Sequence, residues 1–121
     1  MLERLLPADS KAEVLRVERF AVNEEGAGIY HYRALFAYLP GKLNRVFSGR
    51  YRLILRYRLA GHEVSKEVPD ASAGAAAGQL VLKYLARREG RFGLPEAARL
   101  ISAEIQVLEG GELKARSQVL M

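Results

Sequence analysis

Hydrophobic and polar residues alternate with a period of two along most of this chain. The clearest run lies between Val46 and Ala60. Tyr51, Leu53, Leu55, Tyr57 and Leu59 hold one parity; Arg50, Arg52, Arg56 and Arg58 hold the other, interrupted only by Ile54. Successive side chains of an extended strand point to opposite faces, so this order predicts a strand with one apolar and one cationic face. Coiled as a helix, the same residues would spread arginine and leucine around the whole cylinder. Burying the five large apolar side chains contributes roughly 8–15 kcal/mol gross, an upper bound because unfolded chains are partly collapsed. An unpaired buried guanidinium costs several kcal/mol. The cations must therefore face water or a negatively charged partner.

The same period recurs on both sides of this run. In Ala12–Val22, strict alternation places Leu15 and Val17 on one face, and Val14, Phe20 and Val22 on the other with Arg16 and Glu18. Asn23–Gly28 reads as a turn. Ile29–Leu39 forms the next strand, with Tyr30, Tyr32, Ala34, Phe36 and Tyr38 on one face, and Pro40-Gly41 ends it. Ala60–Glu63 reads as a hairpin turn into a short return strand, Glu63–Val68. Pro69–Gly78 has nothing large to bury and reads as a loop. Gln79–Arg88 is apolar on both parities and fits a central strand, followed by turn residues from Glu89 to Pro95. Pro95–Arg99 allows one helical turn. In Leu100–Leu108, alternation sets Ile101, Ala103, Ile105 and Val107 on one face. Glu109–Glu112 is a second hairpin signal, after which Leu113, Ala115, Ser117 and Val119 take the inward parity.

No helical pattern long enough for a crossover lies between any two of these segments, so pairing is expected to be antiparallel. The fold class that follows is all-β: a sandwich or open barrel of about seven strands. Before it, Leu2, Leu5 and Leu6 have helical spacing that Pro7 stops. Residues 1–11 thus read as a short helical leader, the end of a helix or coiled coil, and 12–121 as a single β domain.

Composition narrows the chemistry. There is no cysteine, which excludes disulfides, thiolate metal sites and cysteine nucleophiles. The apolar runs are too short for a membrane helix, and the first residues too short and charged for a signal peptide. The net charge of +5 is uneven: Gly26 to His62 holds seven basic residues and no acid, leaving 12 basic and 14 acidic residues elsewhere. Such a segment is either an electrostatic footprint for an anion or a basic strand whose neighbours return acids such as Glu63, Glu67 or Glu104 beside it.

Catalytic constellations are not apparent. His31 and His62 lie far apart, without metal-ligand spacing. Ser48 in Phe47-Ser48-Gly49 has no adjacent base, and Gly49 reads instead as a bend or bulge. Glu24-Glu25 falls in a turn, and no phosphate-loop glycine pattern occurs. The expectation is a non-enzyme without cofactor or metal. Arg50, Arg52, Arg56 and Arg58, with Arg33, form the candidate face for an anion or partner, because guanidiniums grip carboxylates and phosphates bidentately.

Several short landmarks resemble the C-terminal β domain of an uncharacterised family of bacterial envelope proteins, in which a membrane helix and a coiled coil precede that domain. They are Leu15-Arg-Val-Glu-Arg-Phe20, Tyr30-His-Tyr-Arg33, Phe47-Ser-Gly49, and Arg88-Glu-Gly90 followed by Leu94-Pro95. The chain departs from that pattern at Tyr84-Leu-Ala-Arg-Arg88, and it lacks the tryptophan expected near its end. The resemblance implies the fold and, for a membrane-anchored precursor, the periplasmic face of the envelope; as the chain stands, a cytoplasmic place is expected. The family has no established activity, so no functional residue is implied. The functional expectation is an interaction module that binds a protein partner or a second copy. The alternative is an anion-binding module for nucleic acid or acidic lipid headgroups.

Overall fold

The longest alternating segment builds the centre of the fold. In the computed structural model, which describes residues 13–42, 44–69 and 78–121, Phe47–Leu59 is a single strand. Among the described residues it is the third of eight: β1 Val14–Gly26, β2 Ile29–Leu39, β3 Phe47–Leu59, β4 His62–Val68, β5 Gln79–Leu82, β6 Leu85–Gly93, β7 Arg99–Glu109 and β8 Glu112–Leu120. All pairings are antiparallel. One sheet has the order β1-β2-β6; the other has the order β4-β3-β7-β8, with β5 also on β3. One edge of β3 is shared, as Leu53–Leu59 pairs with β4 and Phe47–Arg50 with β5. Its other edge pairs with β7 over Arg50–Arg58. The expected all-β antiparallel fold is thus present, as two unclosed sheets. The proposed leader lies outside the described residues, as does most of the 69–78 loop.

The two sheets face each other across an aromatic core. Phe20, Val22, Tyr30, Tyr32, Phe36 and Tyr38 from the three-stranded sheet meet Phe47, Tyr51, Leu53, Leu55, Ile105 and Val107 from the other, all buried. Ring contacts cross the gap: Tyr38 on Phe47 at 5.7 Å, Phe36 on Tyr51 at 5.7 Å, and Tyr32 edge-on to Tyr51 at 6.5 Å between centroids. The Tyr32 and Tyr51 hydroxyls hydrogen-bond at 3.1 Å, which satisfies two polar groups that the core would otherwise desolvate without compensation.

Three of the four register shifts among the described strands correct the strict alternation; the fourth, between Glu24 and Gly26, lies at the β1–β2 hairpin. β1 loses register with β2 between Val17 and Arg19, making Glu18 the extra residue. Beyond it the parity flips, so Leu15, Val17, Phe20 and Val22 all lie on the core side. In β7 the shift falls where Arg56 pairs Ser102 and Tyr57 pairs Leu100, so Leu100 is buried and Ile101 is displaced from the expected inward row. A third, where Val107 pairs Ala115 and Leu108 pairs Leu113, turns Leu113 outward, 45% exposed.

The segment expected as one strand from Gln79 to Arg88 bends at Lys83-Tyr84 and continues as β6 through residues expected to turn. Its first half belongs to the five-stranded sheet and its second half to the three-stranded one. The Tyr38 amide donates to the Tyr84 carbonyl at the bend, 2.8 Å away. Glu89-Gly90 is strand because Gly90 pairs Tyr32 and makes room for its ring: a Cβ there would lie 2.6 Å from the hydroxyl. Pro95–Ala98 is a turn with Ala97 at φ 69°, Arg99 already belongs to β7, and no helix occurs among the described residues. Both hairpin signals hold. Ala60-Gly61 and Gly110-Gly111 have positive φ at both central positions, the geometry whose twist suits two-residue hairpins.

Gly49 is a regular β3 residue in register with Leu80, not a bend or bulge. A Cβ there would meet the Leu108 carbonyl at 2.2 Å and the Phe47 ring at 2.8 Å. Gly49→Ala is expected to lower the unfolding free energy by about 2–3 kcal/mol in denaturant titration. Gly26→Ala, with nothing within 4 Å, stays near wild type. A double-mutant cycle tests the buried hydroxyl pair. Tyr51→Phe alone strands the Tyr32 hydroxyl and costs about 1–2 kcal/mol, whereas adding Tyr32→Phe restores part of that loss.

Candidate functional site

The arginines of β3 share the outer face of the five-stranded sheet, and neighbouring strands return acids to them. Arg56 pairs with Glu63 of β4, its Nε donating at 2.9 Å. Arg52 donates from Nε to Gln106 Oε1 of β7 at 2.8 Å and faces Glu67 at 3.7 Å. Gln106 donates in turn to Glu104 at 2.7 Å. Arg50 and Arg58 are exposed on the same face, with Arg58 in register with Glu63 on one side and Arg99 on the other. The cationic row is thus interleaved with Glu63, Glu67 and Glu104. Arg33 is not part of it. It sits on the outer face of the three-stranded sheet, 4.0 Å from Glu89.

The residues weighed for catalysis are scattered. His31 of β2 approaches Glu89 at 3.2 Å, His62 is exposed at the start of β4, and Ser48 is exposed beside Val81. Glu25 pairs with Arg91 at 2.7 Å. Among the described residues, no group of three or more His, Asp or Glu side chains could hold a metal ion. Nor is any helix there long and apolar enough to cross a membrane.

Sequence reasoning missed the outer face of the three-stranded sheet. Register places its rows: Val14 beside Leu39, Arg16 beside Ala37 and Leu85, Arg19 beside Leu35 and Arg87. At the apolar end, Val14, Ala37, Leu39 and Tyr84 line an open hollow of about 450 Å³, with Arg16 at its rim. Leu39, Tyr84 and Leu85 are 63%, 56% and 65% exposed, high values for large apolar side chains. Lys83 stands 5.9 Å from the centre of the Tyr84 ring and adds a second cation. The signal was present in the sequence as the outward parity of β2 turning apolar at Leu35. The position of Tyr84 was not, since it depends on the bend.

Arg45 ties the sheets together near this end. Its guanidinium donates to Glu13 before β1 at 2.9 and 2.6 Å and to Glu109 of β7 at 2.7 and 3.1 Å, and the Tyr38 hydroxyl donates to Glu13 at 2.6 Å. The Arg45 bonds, joined by the Tyr38 bond at Glu13, hold both carboxyls below their ordinary 4.5. Burial, and then the bond to Glu13, pushes the Tyr38 hydroxyl up to about 12. Carboxyls whose folded pKa lies below the unfolded value stabilise the fold fully above the unfolded value, and that contribution fades as pH falls through the folded one. Stability is therefore expected to drop on acidification below pH 4.5. Arg45→Met should flatten this acid limb of the stability–pH profile, and added salt should shrink the difference, because the groups are partly exposed.

Compared with known proteins, the chain matches no family model and no curated protein.

Proposed function

We propose that this chain is a non-enzymatic interaction module that holds a protein partner in a larger assembly, in line with the envelope resemblance, through the apolar hollow on its three-stranded sheet. One observation carries the reading: Leu39, Tyr84 and Leu85 stand together in solvent at one end of this face, with Val14 and Ala37 beside them. Large apolar side chains gathered at a concavity lose their hydration cost only when something covers them, and an aromatic at the centre of such a patch is a favourable anchor. Arg16 at the rim, its charge shared with Glu18 at 2.7 Å, and Lys83 over the Tyr84 ring select the occupant. It is a segment with an apolar side chain for the hollow and acidic residues on either side, since like charge at the rim would repel and opposite charge steers encounter.

The anion-binding alternative on β3 has less support, because Arg52 and Arg56 already have acids beside them. A ligand there must displace Glu63 and Glu67 as well as water.

Selection from a random peptide library on the immobilised protein tests the proposal. Enriched peptides are expected to carry an apolar residue flanked by acids, and Leu39→Asp should weaken their binding at least tenfold with the circular dichroism unchanged. No enrichment, or peptides indifferent to Leu39→Asp, overturns it. So does concentration-dependent self-association that Leu39→Asp abolishes, which assigns the hollow to a second copy.

A further inference from the structure

A second hollow lies beside the apolar one on the same face, and its chemistry is different. Arg19 of β1, Leu35 of β2 and Arg87 of β6 form one row in register across the sheet. Adjacent strands are about 4.8 Å apart, so the two arginine backbones stand about 10 Å apart with Leu35 between them. Arg33 lies two residues along β2 on the same face. Together with Ala21 and Glu89 these residues line an open hollow of about 330 Å³. Its floor is the apolar pair Ala21 and Leu35, and its walls carry three guanidiniums.

The neighbouring cations are already engaged. Arg16 pairs with Glu18 and Arg91 with Glu25, both at 2.7 Å. Inside the hollow there is one carboxylate, Glu89, to three arginines. Glu89 is 4.0 Å from Arg33 and closer, at 3.2 Å, to His31. Among the described residues, Arg19 and Arg87 have no acidic partner. Three guanidiniums against one carboxylate leave two positive charges in a concave space.

We infer that this hollow is a binding site for a small phosphate monoester, its phosphoryl group held between Arg19, Arg33 and Arg87 and its organic part resting on Leu35 and Ala21. The charge matches, because a phosphate monoester carries about −1.5 to −2 at neutral pH and offers three acceptor oxygens to planar guanidinium forks. The size matches too: the hollow exceeds a bare phosphate and lies at the lower end of small-ligand sites, roughly 300–1,000 Å³. A polymeric phosphodiester fits less well. It presents one charge per phosphate along a line, whereas these cations ring a single point and are flanked by the Arg16–Glu18 and Arg91–Glu25 pairs.

Amide chemical-shift titration of the whole chain tests this with three probes: phenyl phosphate, inorganic phosphate and a single-stranded oligonucleotide. Phenyl phosphate is expected to give saturable shifts confined to β1, β2 and β6 around Ala21, Leu35 and Arg87. Inorganic phosphate should move the same amides with severalfold weaker affinity, because it makes no contact with the floor. Arg19→Gln and Arg87→Gln should each weaken phenyl phosphate about fivefold, while Arg58→Gln on the other sheet leaves it unchanged. Neither substitution removes an ion pair of the fold. Equal binding of the two phosphates shows an inorganic-anion site and overturns the ester assignment. Diffuse shifts, shifts centred on β3, variants that bind like wild type, or tighter binding of the oligonucleotide overturn the site. Leu39→Asp, which tests the partner-binding hollow, should leave phenyl phosphate binding intact, so the two readings fail separately.

Discussion

Full burial of Leu53 and Leu55 between the sheets dictates where every cation of β3 goes. Neither side chain has any exposed surface, and Tyr51 and Tyr57 continue the same inward row. With a side-chain period of two, the intervening arginines can only point away from the core. β3 then forms ladders along both edges, to β7 on one and to β4 and β5 in succession on the other. A register slip of one residue would drive guanidiniums between the sheets, at several kcal/mol each, so the register of the whole five-stranded sheet is specified by this one strand. The acids of β4 and β7 reinforce it, since Glu63 and Glu67 meet Arg56 and Arg52 only in the observed register.

The second sheet is fixed to the first through few but chemically distinct ties. The chain between Gln79 and Gly93 serves both, bending at Lys83-Tyr84. The Tyr32–Tyr51 hydroxyl pair spans the middle of the core, and Arg45 clasps Glu13 and Glu109 at one end. Opposite, Lys66 of β4 donates to the Gly93 carbonyl of β6 at 3.2 Å. The buried hydroxyl pair is worth little as net attraction, but it penalises any packing that separates the two tyrosines. It therefore sets how the sheets lie on each other, while the aromatic rings supply the area.

Much of this was legible in the alternation of the sequence. β2 and β3 read correctly to within a residue, and both two-residue hairpins announced themselves through glycine. What alternation conceals is a change of phase. Glu18, Ile101 and Lys114 each add one residue to a strand, and nothing about these residue types marks a bulge. The error then spreads to every side chain beyond. Leu15 and Val17 looked opposed to Phe20 and Val22, though all four line one core. Gly90 misled for another reason: a glycine beside charged residues resembles a turn, but here it admits the Tyr32 ring, a partner from a distant strand. The arginine row of β3 was visible at once, together with the acids able to neutralise it. The outer face of the other sheet was not, because Arg19 and Arg87 meet only through the pairing of β1 and β6 with β2.

That same bulge links the core to the face. Without the extra residue at Glu18, Arg19 would share the parity of Val17 and point between the sheets. With it, Phe20 enters the core and Arg19 turns outward beside Leu35. Solving the packing problem on the inside thus delivers a cation to the outside, opposite Arg87. The two sheets consequently differ in how their positive charge is compensated. On the five-stranded sheet, strands adjacent to β3 bring carboxylates into reach of its arginines, and the attraction is spent within the fold. On the three-stranded sheet, β2 has no acid of its own, and the carboxylates of β1 and β6 are drawn to Arg16, Arg91 and His31. Residual positive charge therefore collects in the row between them, next to apolar side chains that the fold leaves uncovered. Overall charge gives no hint of this division, since it is decided by which strands are neighbours.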